Sequence, residues 1–271
     1  MSAKRQTIVC VHAHPDDEAL FTAGASSYYA SLGHRMVLVT CTYGQLGIDG
    51  AGRAGNVEGH DDLETRANRA AELQRAGDLC GYDRQVSLGY RDSGMAGWSS
   101  HSHPDAFVNV DVEAAARQVA ALIDAEGAEV VITYDSRGFY GHPDHVSAHR
   151  VTRRAVELST SARRLFYPVI PRSVLSDFIQ RASEAGLSMP AWVTDASLDT
   201  EDDQVAVRLD VRDRAALKQR AIALHATQSD NADLVTMSPD LFELLFGTEY
   251  YELGWSRELE NPLDDLLGGL S

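Results

Sequence analysis

Short β-branched and aliphatic runs alternate with stretches of helical spacing through the first half of this chain. That alternation constrains the fold more than any other feature of the sequence. Ile8 to Val11 and Arg35 to Thr42 read as buried strands. Val86 to Leu88 reads as a brief strand, and Glu129 to Tyr134 as another apolar one. Between them, Glu18 to Leu32 predicts a helix stopped by Gly33. Leu63 to Leu79 predicts a second, with Leu63, Ala67, Ala70, Ala71, Leu73 and Leu79 on its inner face. Val112 to Ala125 predicts a third, capped by Asp111. Strands buried on both sides and joined by helices predict an α/β fold with a mostly parallel, Rossmann-like sheet covered on both faces.

The second half is less regular, and residues 161–271 form a smaller, irregular C-terminal portion. Arg164 to Val169 reads as a strand and Pro171 to Ala185 as a helix. Val205 to Val211 alternates like an edge or antiparallel strand. Arg212 to His225 is helical, and Pro239 to Leu253 is a helix–strand piece. Two long irregular stretches, Tyr43 to Asp61 and Tyr90 to Phe107, each follow a strand. They read as functional loops or as surface insertions.

Composition narrows the partners. With 24 basic and 40 acidic side chains the net charge is −16, a field that repels phosphate backbones and anionic lipid. No nucleic acid and no membrane anchor is expected. The N-terminus turns polar too soon for a signal peptide, and no run approaches the roughly 18 apolar residues of a membrane span. Cys10, Cys41 and Cys80 lie in apolar stretches and read as buried thiols of a reducing compartment, which predicts a cytoplasmic protein.

Ligands of an open parallel sheet gather at the carboxyl ends of its strands. The turn after the first strand carries no GxGxxG. It reads His12-Ala13-His14-Pro15-Asp16-Asp17-Glu18. Pro15 keeps His14 extended at the strand tip, and Asp16 and Asp17 open a helix. Both aspartates are acceptable helix caps, but stacked carboxylates beside an imidazole point to a cation. Neighbouring helical residues diverge, so one aspartate can hold a metal while the other faces a water.

The later strand runs into Asp135-Ser136-Arg137-Gly138-Phe139-Tyr140-Gly141-His142-Pro143-Asp144-His145, with a helix expected from about His145. His142 and His145 share one side of that helix start. His149 stands four residues after His145, but Val146 occupies the place of a zinc-protease glutamate, so His149 reads as a helix-surface or core histidine. Two His and one Asp suit a catalytic zinc site with an open position, and iron(II) is also compatible. Of the residues in the two motifs, His14, Asp17, His145, Asp16 and His142 supply the ligands, base and acid that hydrolysis needs. Asp144 is placed to orient an imidazole.

At AHPDDE and GHPDH the chain resembles the PIG-L/LmbE-like zinc N-deacetylases. It looks closest to the mycothiol branch, through VTCTYGQLG (Val39 to Gly47), YRDSGMAG (Tyr90 to Gly97), Thr133 to His145 and HATQ (His225 to Gln228). That branch contains the N-acetylglucosaminyl-inositol deacetylase and the mycothiol S-conjugate amidase. The resemblance implies one domain over 1–271, with a metal-binding core at 1–160 and a remainder at 161–271 that completes the substrate pocket. It implies zinc on His14, Asp17 and His145, and Asp16 as general base. His142 becomes the acid or oxyanion stabiliser, tuned by Asp144, with Tyr140 reaching the oxyanion. Arg69, in the RAAE stretch, and Asp92, in YRDSG, would bind the sugar.

The pattern departs at Gln45 and Ile48, which stand where relatives carry acids, and at Phe21, which is bulkier than expected. These leave the chemistry intact and alter the substrate end. Trp98 is placed to stack on a sugar or to anchor its loop, and His101 and His103 read as solvated loop residues. The expected reaction is hydrolysis of an N-acyl group on an N-acetylglucosamine-type sugar. The alternatives are cleavage of a larger mycothiol S-conjugate or secondary-metabolite amide, or metal and carbohydrate binding without catalysis. A second copy of the chain is a candidate partner if Leu263, Leu266 and Leu267 beside Asp264 and Asp265 form an interface strip rather than a frayed end.

Overall fold

The computed structural model describes residues 5–186, 198–258 and 263–270. Strands β1 (Thr7–His12), β2 (Arg35–Thr42), β3 (Arg84–Tyr90), β4 (Val130–Ile132) and β5 (Arg164–Pro171) form the parallel part of one sheet. Further along the chain come β6 (Asp199–Thr200), β7 (Val207–Asp210) and β8 (Thr248–Ser256). The order is β3-β2-β1-β4-β5-β8-β7, with β6 paired to β5. β8 runs antiparallel to both β5 and β7, so the expected edge-like antiparallel strand is β7. The order turns back at β1 and β4, and the two chemical motifs leave from the carboxyl ends of those neighbouring strands.

The helices are α1 (Asp17–Phe21), α2 (Ala23–Ser31), α3 (Asp62–Cys80), α4 (Val112–Glu126), α5 (Pro143–Leu158), α6 (Arg172–Glu184), α7 (Ala215–Leu224), α8 (Ala232–Thr236) and α9 (Pro239–Phe246). Alternation along the strands divides the core in two. Val9, Val11, Val37 and Val39 pack with residues of α4 and α5 on one face. Ile8, Cys10, Met36 and Leu38 pack with residues of α2 and α7 on the other. Asp111 caps α4 by accepting from Glu113 and Ala114, as its sequence predicts.

Four expectations are corrected. The single helix over 18–32 is two helices, broken at Thr22. The Thr22 hydroxyl is drawn to His12 Nε2 and Tyr82 at 2.9 Å each, and α2 restarts with Gly24 and Ala25 donating to the Glu249 carboxylate. Helix α3 does not bury Leu63, Ala67, Ala70 or Ala71. Its inward face is Thr65, Arg69, Glu72, Ala76, Gly77 and Cys80, because its first half faces polar loops rather than the sheet. Helix α5 begins at Pro143 with His142 as its cap, two residues earlier than expected. The tail beyond 263 is neither interface strip nor frayed end. Leu266 and Leu267 are buried in the core, Tyr29 donates to Asp265, and Arg164 holds the Leu266 and Gly268 carbonyls.

The three cysteines are free and buried, and burial pushes the Cys10 thiol up to about 12. Among the described residues, no helix is long and apolar enough to cross a membrane.

Candidate active site

The first motif bends the backbone sharply. Asp16 takes φ 102°, ψ −27°, a left-handed conformation that costs a non-glycine residue of order 1–3 kcal/mol. Its surroundings hold it there. The Asp16 N–H donates to Glu18 Oε2 at 3.0 Å, and its carbonyl accepts from Ala19 and Leu20. Arg69 donates to the Pro15 carbonyl, to the Gly44 carbonyl at 2.8 Å, and reaches Asp16 Oδ1 at 3.1 Å. The two aspartates therefore diverge, as helix geometry predicts.

Asp17 turns to the histidines. Its Oδ2 accepts the His14 N–H at 2.8 Å and the Tyr134 hydroxyl at 2.7 Å, and lies 3.4 Å from His14 Nδ1. Its Oδ1 lies 3.4 Å from His145 Nε2. His145 Nδ1 faces the Gly138 carbonyl at 3.2 Å. A carbonyl only accepts, so the proton sits on Nδ1 and Nε2 presents a lone pair. That Nε2 is buried with no hydrogen-bond partner. Two imidazoles and a carboxylate converging on an orphaned lone pair are a donor set that fits zinc or iron(II). Among the described residues, the groups whose ligand atoms all lie within 4.8 Å of one another are His14, His142 and His145, and His14, Asp92 and Asp144; Asp17 joins His14 and His145 through its pairwise contacts.

Asp144 departs from its expected partner. Its Oδ2 accepts the Ser93 N–H at 2.9 Å and stands 3.3 Å from His14 Nε2. His142 receives only the Asp144 backbone N–H, at its Nδ1. The imidazole this carboxylate orients is thus His14. Capping α5 leaves the His142 proton on Nε2, the nitrogen free for other partners.

Electrostatics separate the two aspartates further. Burial opposes ionisation of Asp17, but the neighbouring His145 and His14 outweigh it and hold the carboxyl well below its usual range. Burial pushes Asp16 up to about 7 against the pull of Arg69. Burial, with His14 and His145 nearby, pushes His142 well below its ordinary value.

These groups open onto a cavity of about 1130 Å³, whose lining includes His14, Asp16, Asp17, Arg69, Asp92, Trp98, Tyr140 and His142. Asp144 and His145 lie beneath, fully buried. Arg69 reaches this wall with its terminal nitrogens turned to backbone and Asp16, and a Cβ at Gly44 or Gly47 would strike its guanidinium. Asp92 accepts from Leu46 and Gly94 and stands 3.9 Å from His14 Nε2. The Trp98 ring lies against Gly94, so it anchors its loop while lining the cavity. Tyr140 is 41% exposed, its ring 4.9 Å from that of His145.

Ile48 and Phe21 line the cavity, whereas Gln45 is buried and accepts the Asp92 N–H. His149 packs on Tyr167 and bonds the Tyr134 carbonyl. His101 and His103 join none of the metal-capable clusters among the described residues.

Sequence reasoning passed over three residues that build this site. Tyr134 braces Asp17 and stacks on His145 at 4.0 Å. His225 donates to Glu18 Oε1 at 2.6 Å, and Asn231 reaches Asp16 Oδ2 at 3.5 Å. The TYD and HATQ segments stand out in the sequence, but only the fold shows what they touch.

The GlcNAc-PI de-N-acetylase family model (PIG-L) matches residues 9–156, which contain both motifs. The chain is 33% identical to a deacetylase of 1D-myo-inositol 2-acetamido-2-deoxy-alpha-D-glucopyranoside from Salinispora arenicola, over 97% of this chain and 91% of that one. It is 36% identical to the enzyme of that name from Saccharomonospora viridis, over 96% and 99%. Among solved structures it shares its fold with N,N'-diacetylchitobiose deacetylase from Pyrococcus horikoshii, with TM-score 0.60 and 17% identity over 92% and 83% of the chains. A 4-carboxy-2-hydroxymuconate hydratase from Pseudomonas putida KT2440 has the same fold, with TM-score 0.57 and 15% identity over 94% and 99%. Since this fold carries a hydratase as well as deacetylases, the fold leaves the reaction open. The family match and the full-length relatives narrow it, and they agree with the two motifs that meet between β1 and β4: the chain belongs to the PIG-L family of hydrolytic de-N-acetylases.

Proposed function

We propose that this protein uses zinc to remove the acetyl group from an N-acetylglucosamine-type glycoside, with the inositol glycoside as first candidate. The observation that carries this reading is the division of labour around Asp16 and Asp17. One carboxylate is committed to two histidines, and the other stands apart with its pKa pushed up to about 7. His14, Asp17 and His145 would hold the metal. Bound there, zinc supplies a Lewis acid and brings the pKa of a coordinated water to about 7.

Asp16 is the base that takes a proton from the attacking water, and a pKa near the working pH suits that task. His142, with its proton on Nε2, steadies the developing oxyanion together with Tyr140, and the proton that Asp16 took from the water is returned across the site to the departing amine. Asp92 and Trp98 face the sugar across the cavity, and Arg69 shapes the same wall. The free, buried cysteines support work in a reducing cytoplasm.

The cavity favours a second reading alongside the first. At about 1130 Å³ it exceeds the roughly 300–1,000 Å³ of ordinary ligand pockets. Its lining includes an apolar cluster of Leu175, Phe178, Leu241 and Leu245. A larger amide, such as an S-conjugate, would use that space.

The test is amine release from the free sugar, the inositol glycoside, a bulky S-conjugate and an aminoglycoside-like acetamide, with and without chelator. Chelator-sensitive release from one member supports the reading and names the branch. Silence across the panel by protein with stoichiometric metal overturns it.

A further inference from the structure

The strained turn at Asp16 is held from outside the two motifs, by the segment that follows α7. His225 is fully buried, and its Nε2 meets Glu18 Oε1 at 2.6 Å. Glu18, also fully buried, uses its other oxygen to accept the Asp16 N–H. A single carboxylate therefore links a histidine 207 residues away to the backbone of the residue next to Asp17.

The same segment makes further attachments. Thr227 donates its N–H and hydroxyl to Glu72 of α3, the helix that carries Arg69. Gln228 pairs both ways with the backbone of Ile48, in the loop that Arg69 also holds through Gly44. Asn231 reaches Asp16 Oδ2. Residues 225–231 thus tie together the three pieces that surround Asp16: α1, α3 and the loop after β2.

The chemistry gives this arrangement a purpose. A left-handed aspartate has no intrinsic reason to stay left-handed, and its relaxation would swing the carboxylate out of the cavity. The Asp16 N–H is fixed only as firmly as Glu18, and a lone buried carboxylate is fixed only if its second oxygen is paired.

We propose that His225 and Glu18 are positioning residues that hold Asp16 in its left-handed conformation, so that its carboxylate stays aimed into the cavity. Neither touches the reacting atoms. The idea goes beyond the proposed reaction and rests on it only for the kinetic arm of the test.

The experiment compares His225→Gln with His225→Asn in the zinc-loaded, full-length protein. Glutamine reaches Glu18 with a donor of similar length, and asparagine is one carbon short. Expected are a kcat within about threefold of wild type for glutamine and a loss of roughly 10- to 100-fold for asparagine. KM should stay within about twofold, with metal stoichiometry unchanged in both. Crystal structures of the two variants supply a readout independent of turnover. Asp16 should keep its positive φ in the glutamine variant and lose it in the asparagine variant. Equal kcat in the two variants, or a retained positive φ in His225→Asn, overturns the proposal. If the wild type releases no amine, the proposed reaction fails while the Asp16 backbone in the two structures still decides this one.

Discussion

Tyr134 lies flat against His145, with ring centroids 4.0 Å apart and an interplanar angle of 13°, while its hydroxyl donates to Asp17 at 2.7 Å. One side chain thus braces two of the three proposed metal ligands. The same hydroxyl accepts the Ala13 N–H at 2.9 Å, which steadies the start of the first motif. Tyr134→Phe keeps the stack and removes the hydroxyl. Metal affinity should fall roughly 10- to 100-fold, the usual effect of losing an outer-shell partner. Competition with a coloured chelator measures it. An unchanged affinity would show that Asp17 needs no brace.

The two aspartates should separate cleanly on mutation. Asp16→Ala removes the base and leaves His14, Asp17 and His145 in place. It should keep metal at wild-type stoichiometry and lose about 10²- to 10⁴-fold in kcat. His145→Ala deletes the residue whose Nε2 stands unpartnered, and it should lose the metal itself. Elemental analysis beside steady-state rates distinguishes the two. Near-full turnover by Asp16→Ala would remove it from the role of base.

The fold was legible where burial is apolar. The β-branched runs of β1, β2 and β5 and the capped helix α4 carry their own signals. Legibility failed where polar groups are buried. Helix α3 turns Thr65, Arg69 and Glu72 inward, so an apolar-face reading picked residues that the structure exposes. The break at Thr22 depends on His12, Tyr82 and Glu249, none of which a local window contains.

The site follows the same division. The family resemblance rested on AHPDDE and GHPDH, and the structure brings their residues together at the ends of neighbouring strands. The hold on Asp16 comes from His225 and Asn231, more than 200 residues later, and spacing along the chain says nothing about such contacts.

Lys218 and Glu249 form a buried pair at 2.8 Å, and Glu249 also accepts from Gly24, Ala25 and Tyr251. Lys218→Met leaves that carboxylate buried without its counter-charge. Breaking such a pair costs about 3–5 kcal/mol, and adding Glu249→Gln should return part of the loss because the surviving charge is removed. Urea unfolding of the two single variants and the double variant checks this. Strict additivity would mean that the pair is not coupled.

The pairing of His225 with Glu18 also predicts a pH dependence of stability. Burial disfavours the charged imidazole, but Glu18, helped by Asp16, outweighs both burial and the opposing charge of Arg69. The pKa therefore stands above its ordinary 6.5. The folded protein holds this proton more tightly than the unfolded chain. The resulting stabilisation is complete below about pH 6.5 and is lost as pH rises through the raised folded value. His225→Gln cannot titrate, and every other group is common to the two proteins. The margin of wild type over His225→Gln in unfolding free energy should therefore shrink as pH rises above about 6.5. Urea titrations at four or five pH values give that margin directly. A margin that grows with pH would mean that His225 is folded in as the neutral imidazole, with burial prevailing over Glu18.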